Sequence, residues 1–243
     1  MRTLCVDIGG SGIKAIVVDP VGAPLTERIR LETPSPAVPA AVLEVLAEVI
    51  RTIAAASAYD RVSIGFPGVV ADGITKTAPN LDLSWAGFAM VSAVEKLTGK
   101  PVRMANDADI QGLAVIEGQG LEMLITLGTG FGCGLYIDGR YVPNLELGHH
   151  PWRKGATYEE RTSNAVRKRI GKKRWNKRVR EAIAELEPIF NYRRLYVGGG
   201  NAKHVDAAEL PANVTLVDNV AGLLGGIKLW QTEEAPLPEG SVD

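Results

Sequence analysis

The sequence predicts an α/β protein built from two similar halves. Strand-length apolar runs alternate with longer amphipathic stretches along the chain, which is the pattern of strands interleaved with helices. Two glycine-cornered apolar hairpins stand 119 residues apart, DIGGSGIKAIVVD at 7–19 and TLGTGFGCGLYID at 126–138. In that alignment Gly9 matches Gly128, Gly10 faces Thr129, Ser11 faces Gly130 and Asp19 matches Asp138. A hairpin repeated at about half the chain length implies a duplicated architecture with a cleft between the halves.

Each element has a local reason. Residues 2–8 and 13–19 are apolar runs around GGSG and read as a β-hairpin. Over 38–56, Val42, Leu46, Val49, Ile50 and Ile53 recur at helical spacing. RVSIGFPG is a buried-type strand entering a Gly/Pro turn, and 88–98 reads as a helix. PVRMAN is a short strand, and DADIQGLAVIEG is a helix whose acidic start suits the helix dipole. EMLITLGTGFGCGLYIDG is the second hairpin, and 157–187 is helical with a basic middle. RRLYVGGG is a strand meeting a glycine turn, VTLVDN is a last strand, and VAGLLGGIKLW is a glycine-interrupted helix.

Composition excludes several classes. At 46% hydrophobic and 23% charged, the chain has the balance of a soluble globular protein. No apolar run approaches the ~18 residues that span a membrane, and MRTLCVDIGG lacks a signal-peptide layout. Cys5 and Cys133 supply neither a disulfide framework nor a CxxC pair. These features lead to the expectation of a cytoplasmic protein with no membrane partner. The net charge of −1 conceals a run, 165–180, with nine Lys or Arg and no acid. Such a run is either a solvated helix face or an anion-binding strip.

Glycine turns let a backbone approach a ligand and aim successive N–H groups at it, usually at phosphate. Neither hairpin carries a Walker A loop or a GxGxxG that opens a βαβ unit. A hairpin uses glycine in any case, so the argument rests on two such turns plus Gly198, Gly199 and Gly200 after a strand. Asp7, ending the first strand, can hold a hydrated Mg²⁺.

Residues 103–115, RMANDADIQGLAV, pose a separate question. Asn106, Asp107 and Asp109 crowd between two apolar stretches, and a carboxylate beside a core is costly unless it is paired or used. The ordered set DIGGSGIK, TAPNLD, ANDAD, TLGTGFGCG, ELGHH and VGGGNAK resembles the ROK sugar kinases, and within them the polyphosphate glucokinase and glucomannokinase group. The resemblance runs from residue 4 to about 230. It implies the actin/hexokinase-like (ribonuclease H-like) fold, with two α/β domains and an active-site cleft between them. The expected domains are 1–104 and 105–243, with a C-terminal helix near 219–230 packing back toward the first.

The resemblance makes Asp107 the general base toward a sugar hydroxyl, while Asp109 reads as helix-start chemistry. It implies sugar contacts from Asn80, Asn106, Asp107, Glu146, His149 and Glu159. Glu146 and His149 face the same way if their loop is helical. Donor phosphates are expected at Gly9, Gly10, Ser11, Gly12 and Lys14 on one side and at Gly128, Thr129 and Gly130 on the other, with Gly198–Gly200 behind a nucleotide. Lys14 either neutralises phosphate charge or faces solvent. A polyphosphate strip is expected at Arg167, Lys168, Lys172, Lys173 and Lys177, with Trp175 as its inward anchor.

The expected reaction moves a terminal phosphoryl group from polyphosphate or ATP, with Mg²⁺, to the 6-hydroxyl of glucose or a related hexose such as mannose. A homodimer is implied as well. Many ROK proteins follow their GH with zinc-binding cysteines. HHPWRKGATYEE has none, so no zinc is expected. The chain begins at a strand rather than a helix-turn-helix, so no nucleic-acid partner is expected. Two other classes stay open at this point, a sugar-binding regulator without catalysis and an actin-like ATPase.

Overall fold

The structure is a computed structural model that describes residues 1–79, 81–217 and 224–231. Strands β1 (Thr3–Gly9) and β2 (Gly12–Val18) form the first hairpin, and β3 (Ile29–Leu31) extends it. Helix α1 (Pro39–Ala56), β4 (Arg61–Phe66), the small pair β5 (Val70–Ala71) and β6 (Ile74–Thr75), α2 (Met90–Thr98), β7 (Val102–Asn106) and α3 (Asp107–Leu113) follow. Next come β8 (Leu121–Leu127), β9 (Phe131–Ile137) and β10 (Arg140–Val142). Helices α4 (Tyr158–Thr162), α5 (Asn164–Ile170) and α6 (Lys172–Phe190) lead to β11 (Arg194–Gly198) and β12 (Val214–Leu216).

The repeat read in the sequence extends to sheet topology. One five-stranded sheet has the order β3-β2-β1-β4-β7 and the other β10-β9-β8-β11-β12. In each, an antiparallel hairpin is followed outward by parallel strands. The turns differ by one residue, because Gly9 pairs with Gly12 whereas Leu127 pairs with Phe131. Asp19 and Asp138, matched in the repeat, both accept backbone N–H groups at the hairpin ends.

Helical spacing accounts for α1: Val42, Leu46, Val49, Ile50 and Ile53 are buried against β1, β2 and β4. The second sheet packs on α6 through Trp175, Val179, Ile183 and Leu186. Trp175 is the expected anchor; it is fully buried and donates its indole N–H to the Thr162 carbonyl at 2.7 Å.

Helix α3 lies between the sheets, with Ile110 and Leu113 packed on Leu124, Tyr136 and Tyr196. Tyr136 donates its hydroxyl to the Ala108 and Asp109 carbonyls at 3.0 and 2.9 Å. A Cβ at residue 112 would stand 1.9 Å from that hydroxyl oxygen, so Gly112 permits the close approach. On its other side a 3₁₀ turn, Gly225–Trp230, packs back on the first sheet: Ser63 donates to the Gly226 carbonyl at 2.6 Å, and the Trp230 indole donates to Ser63 at 2.8 Å.

Three expectations change. The helix expected over 107–118 ends at Leu113. The N–H groups of Val115 and Ile116 turn onto the Gly112 carbonyl, and the next three N–H groups bind the buried Glu122 carboxylate. The helical stretch 157–187 is three helices, broken at Ser163 and at Gly171, whose φ is +81°. In the last strand the described residues are paired over Val214–Leu216, and in the last helix the described residues 225–230 form a 3₁₀ turn; residues 218–223 of these two expectations lie outside the described residues. No helix among the described residues is long and apolar enough to cross a membrane.

Candidate active site

Strand ends and turns from both sheets open onto one cleft of about 690 Å³, a volume typical of small-molecule sites. From the first sheet come the β1–β2 turn, the C-terminal end of β4 and the β7–α3 junction. The second contributes the β8–β9 turn and Gly199–Gly200 after β11, the connection to α4 adds Glu146 and His149, and α4 itself adds Glu159.

Asp107 sits at the cleft floor because β7 ends there and α3 begins. Asn106 caps the helix, its Oδ1 accepting the Ala108 N–H at 2.8 Å; that same N–H also meets Asp107 Oδ1 at 2.8 Å. The Asn106 side-chain amide donates to the Gly68 carbonyl at 3.2 Å and to Glu146 Oε1 at 3.3 Å. Burial pushes the Asp107 carboxyl up to about 7, and the charges of Asp7 and Glu146 add to that against the Ala108 hydrogen bond. A helix start by itself favours the ionised form. The dipole of a seven-residue helix is outweighed here by desolvation and two neighbouring acids.

Asp109 stands in the first turn of α3, the helix-start position expected of it. It is buried, with one oxygen accepting the Asn144 N–H at 3.3 Å and the other without a partner among the described residues. Burial raises its carboxyl to about 7 as well. Asn144 in turn clamps β5: its Oδ1 accepts the Val70 N–H at 2.8 Å and its Nδ2 donates to the Val70 carbonyl at 2.7 Å. The clamp fixes the chain two residues before Glu146.

Leu147–His149 is a 3₁₀ turn, so Glu146 and His149 do face each other, 3.7 Å apart. Burial raises the Glu146 carboxyl, and His149 opposes the rise. Glu159, from α4, accepts the Phe131 N–H at 3.1 Å and so touches the β8–β9 turn. Asn80 lies outside the described residues.

On the opposite side, Asp7, Gly9, Gly10, Ser11 and Lys14 face Gly128, Thr129 and Gly130 across the cleft. Lys14 is not a solvent-facing strand lysine; its Nζ is 2.7 Å from Asp7 Oδ2. Gly12 and Gly198 lie within strands and do not line the cleft. None of Arg167, Lys168, Lys172, Lys173 and Lys177 lines it either. Arg167 bonds Asn164 and Asn201, which hold the Gly128 carbonyl, while Lys168, Lys172, Lys173 and Lys177 are exposed.

Sequence reasoning missed Arg28, Arg30, Gln111, Thr126 and Cys133, all of which line the cleft. Thr126 is the repeat partner of Asp7, a signal already present in the aligned hairpins. Arg28 and Arg30 lie in a segment with no periodic pattern and become visible only through pairing of β3 with β2.

Comparison with known proteins agrees with this architecture. Residues 3–156 match the ROK family. A polyphosphate glucokinase of Mycobacterium tuberculosis (strain CDC 1551 / Oshkosh) is 33% identical over 236 residues, covering 90% of this chain and 88% of that protein. One from Mycobacterium leprae (strain TN) is 32% identical, over 92% of this chain and 73% of that protein. The crystal structure of inorganic polyphosphate/ATP-glucomannokinase from Arthrobacter sp. strain KM superposes with a TM-score of 0.85 at 32% identity, covering 95% of this chain and 99% of that one. A ROK family glucokinase from Streptomyces griseus, in complex with glucose and AMPPNP, shares the fold with a TM-score of 0.80 at 21% identity, over 96% of this chain and 100% of that one. With its two matching hairpin sheets, its hexokinase-like fold and its sequence match over more than half its length, the chain belongs to the ROK family.

Proposed function

We propose that the protein transfers the terminal phosphoryl group of inorganic polyphosphate or ATP to the 6-hydroxyl of glucose, with Asp107 as general base. The observation that carries this reading is the position of Asp107. It lines the same cleft as Asn106, Glu146, His149 and Glu159 and as the two glycine turns, which supports the reading. The relatives' names supply the substrate class: polyphosphate glucokinase, and a glucomannokinase using polyphosphate or ATP.

Phosphoryl transfer needs positioning, charge neutralisation and an acceptor for the nucleophile's proton. Asn106, Glu146, His149 and Glu159 hold the sugar hydroxyls, and acceptors matched to them leave unpaired groups against a sugar that lacks those hydroxyls. Asp107 takes the proton of the 6-hydroxyl as its oxygen attacks the terminal phosphorus. The bond to the bridging oxygen breaks, and a polyphosphate shorter by one phosphate, or ADP, leaves. A carboxyl held near 7 suits this role, because a base titrating near working pH is both available and strong enough. Backbone N–H groups of the glycine turns, with the Thr129 hydroxyl and Lys14, face the transferred group.

Magnesium fits the residues present. Asp7 is a carboxylate near the end of β1 that lines the cleft and has one oxygen, Oδ2, on Lys14, and Mg²⁺ takes one or two carboxylates plus phosphate oxygens while keeping waters. No cluster of three or more ligating side chains exists among the described residues, so the protein's share would be Asp7 through water. When bound, the ion supplies charge neutralisation on the donor phosphates. Homodimer assembly and a cytoplasmic location belong to the same reading.

The test is to supply glucose with ATP and with polyphosphate separately and to measure glucose 6-phosphate, with mannose as the second hexose. Sugar phosphate from either donor supports the reading. Donor hydrolysis that is independent of sugar, or sugar binding with no product from either donor, refutes it.

A further inference from the structure

The cleft separates its charges. Four carboxylates line it, Asp7, Asp107, Glu146 and Glu159. A polyanionic donor entering such a cleft needs cations at its own end. Among the described residues three Lys or Arg side chains line the cleft, Lys14, Arg28 and Arg30. Lys14, against Asp7, belongs to the inner part of the cleft with the transferred group, which leaves the two arginines for phosphates farther out.

Register places them in a row. Asp7 on β1 pairs with Lys14 on β2, and Lys14 pairs with Arg30 on β3. Side chains directly opposite share a face, so Asp7, Lys14 and Arg30 run outward from the cleft to the edge strand. Neighbouring strands lie ~4.8 Å apart, so each step is about the reach of one side chain. Arg28, just ahead of β3, lines the cleft together with Arg30, while Ile29 and Leu31 pack into the core. The Arg30 guanidinium donates to the Ser11 carbonyl at 2.7 Å and lies over Gly12, where a Cβ would stand 2.7 Å from Nε. Gly12 therefore makes room for Arg30 beside the first glycine turn. Arg28 is exposed and makes no hydrogen bond or ion pair with any described residue.

We infer that Arg28 and Arg30 form an outer anion subsite that takes the phosphates of an inorganic polyphosphate chain beyond those held at the glycine turns. The inference rests on the phosphoryl donor proposed above. ATP ends its charged part after three phosphates and continues as ribose and base, whereas polyphosphate presents further anionic groups at every step. The guanidinium fork matches two phosphate oxygens at once, which a lysine does not. The subsite thus discriminates by chain length and reads no base.

Calorimetric titration of the full chain without sugar tests it, with long-chain inorganic polyphosphate and with tripolyphosphate as probes. Arg28→Gln is the primary variant, because Arg28 is exposed and supports no neighbour. Its Kd for the long chain should rise about three- to tenfold, and the slope of log K against log salt should become shallower by about 0.7. The tripolyphosphate Kd should move by less than about twofold, as its charge ends within reach of the glycine turns. A double variant, Lys172→Gln with Lys173→Gln, removes more charge away from the cleft and should leave the long-chain Kd within about twofold. Equal weakening for both chain lengths, an unchanged Arg28→Gln, equal weakening by the control, or no long-chain binding by the unmutated protein would each overturn the inference. Glucose 6-phosphate formation by the unmutated protein judges the kinase reading separately: its absence with both donors removes that reading, whereas the titration decides the arginines.

Discussion

Replacing Asp107 with Asn separates chemistry from binding. The variant keeps an oxygen acceptor for the Ala108 N–H, which Asp107 accepts at 2.8 Å, and removes the carboxylate proposed as proton acceptor. General-base assistance is worth roughly 10²–10⁴ in rate, so kcat should fall by that factor. The glucose Kd should change by less than about threefold, because the remaining hydroxyl partners stay in place. A pH signature follows. Burial raises this carboxyl from 3.8 to about 7, so kcat/KM of the unmutated protein should climb with pH and level off above about 7, a limb absent from any residual activity of the variant. The same shift sets stability. The folded state binds this proton more tightly than the unfolded chain, so its favourable contribution is complete below 3.8 and is lost as pH rises through about 7. At pH 8 the ionised carboxylate is therefore destabilising. Raising the carboxyl from 3.8 to about 7 corresponds to about 4 kcal/mol, and water in the open cleft reduces this to about 1–2 kcal/mol. Asp107→Asn should accordingly melt above the unmutated protein at pH 8 and at nearly the same temperature at pH 4. Near-unmutated kcat together with an unchanged pH profile would refute the reasoning.

Two other perturbations probe the support around that carboxylate. Asn144→Ala removes both hydrogen bonds to Val70 and puts alanine at φ +64°; it should cost about 1–3 kcal/mol in denaturant unfolding and raise the glucose KM through Glu146. Asn144→Gly keeps the backbone angle, so it should recover part of the stability but not the KM. Gly112→Ala drives a Cβ into the Tyr136 hydroxyl, and it should cost about 1–3 kcal/mol and lower kcat by shifting α3 under Asp107; a variant with both values unchanged would show that α3 does not need this contact.

The legible parts of the fold were those with a strong local period. Helix α1 shows its apolar stripe directly, and both hairpins show apolar runs closed by glycine. Their repetition points to the paired sheets, because a duplicated hairpin leaves a duplicated string. Element ends were less legible. Helix α3 stops after Leu113 because Glu122, in the following strand, draws the backbone N–H groups of 117–119 to a buried carboxylate, a contact with no local mark. The site divides the same way. Asp107, Glu146, His149 and Glu159 were read from motifs, and the cleft gathers them. Lys14 could be read as solvent-facing or functional, and only the β1–β2 register shows Asp7 opposite it. Arg28 and Arg30 depend on a three-residue edge strand, too short to show alternation. The basic run at 165–180 was conspicuous in sequence, yet it lies off the cleft because Trp175 turns the apolar face of α6 inward and leaves most lysines in solvent.

The most direct measurement is a crystal structure of the protein with glucose bound. The 6-hydroxyl oxygen should lie about 2.6–3.2 Å from the Asp107 carboxylate, with the other hydroxyls on Asn106, Glu146, His149 and Glu159 and the open side facing the glycine turns. Glucose bound outside this cleft, or held within it with the 6-hydroxyl turned away from Asp107, would contradict the account.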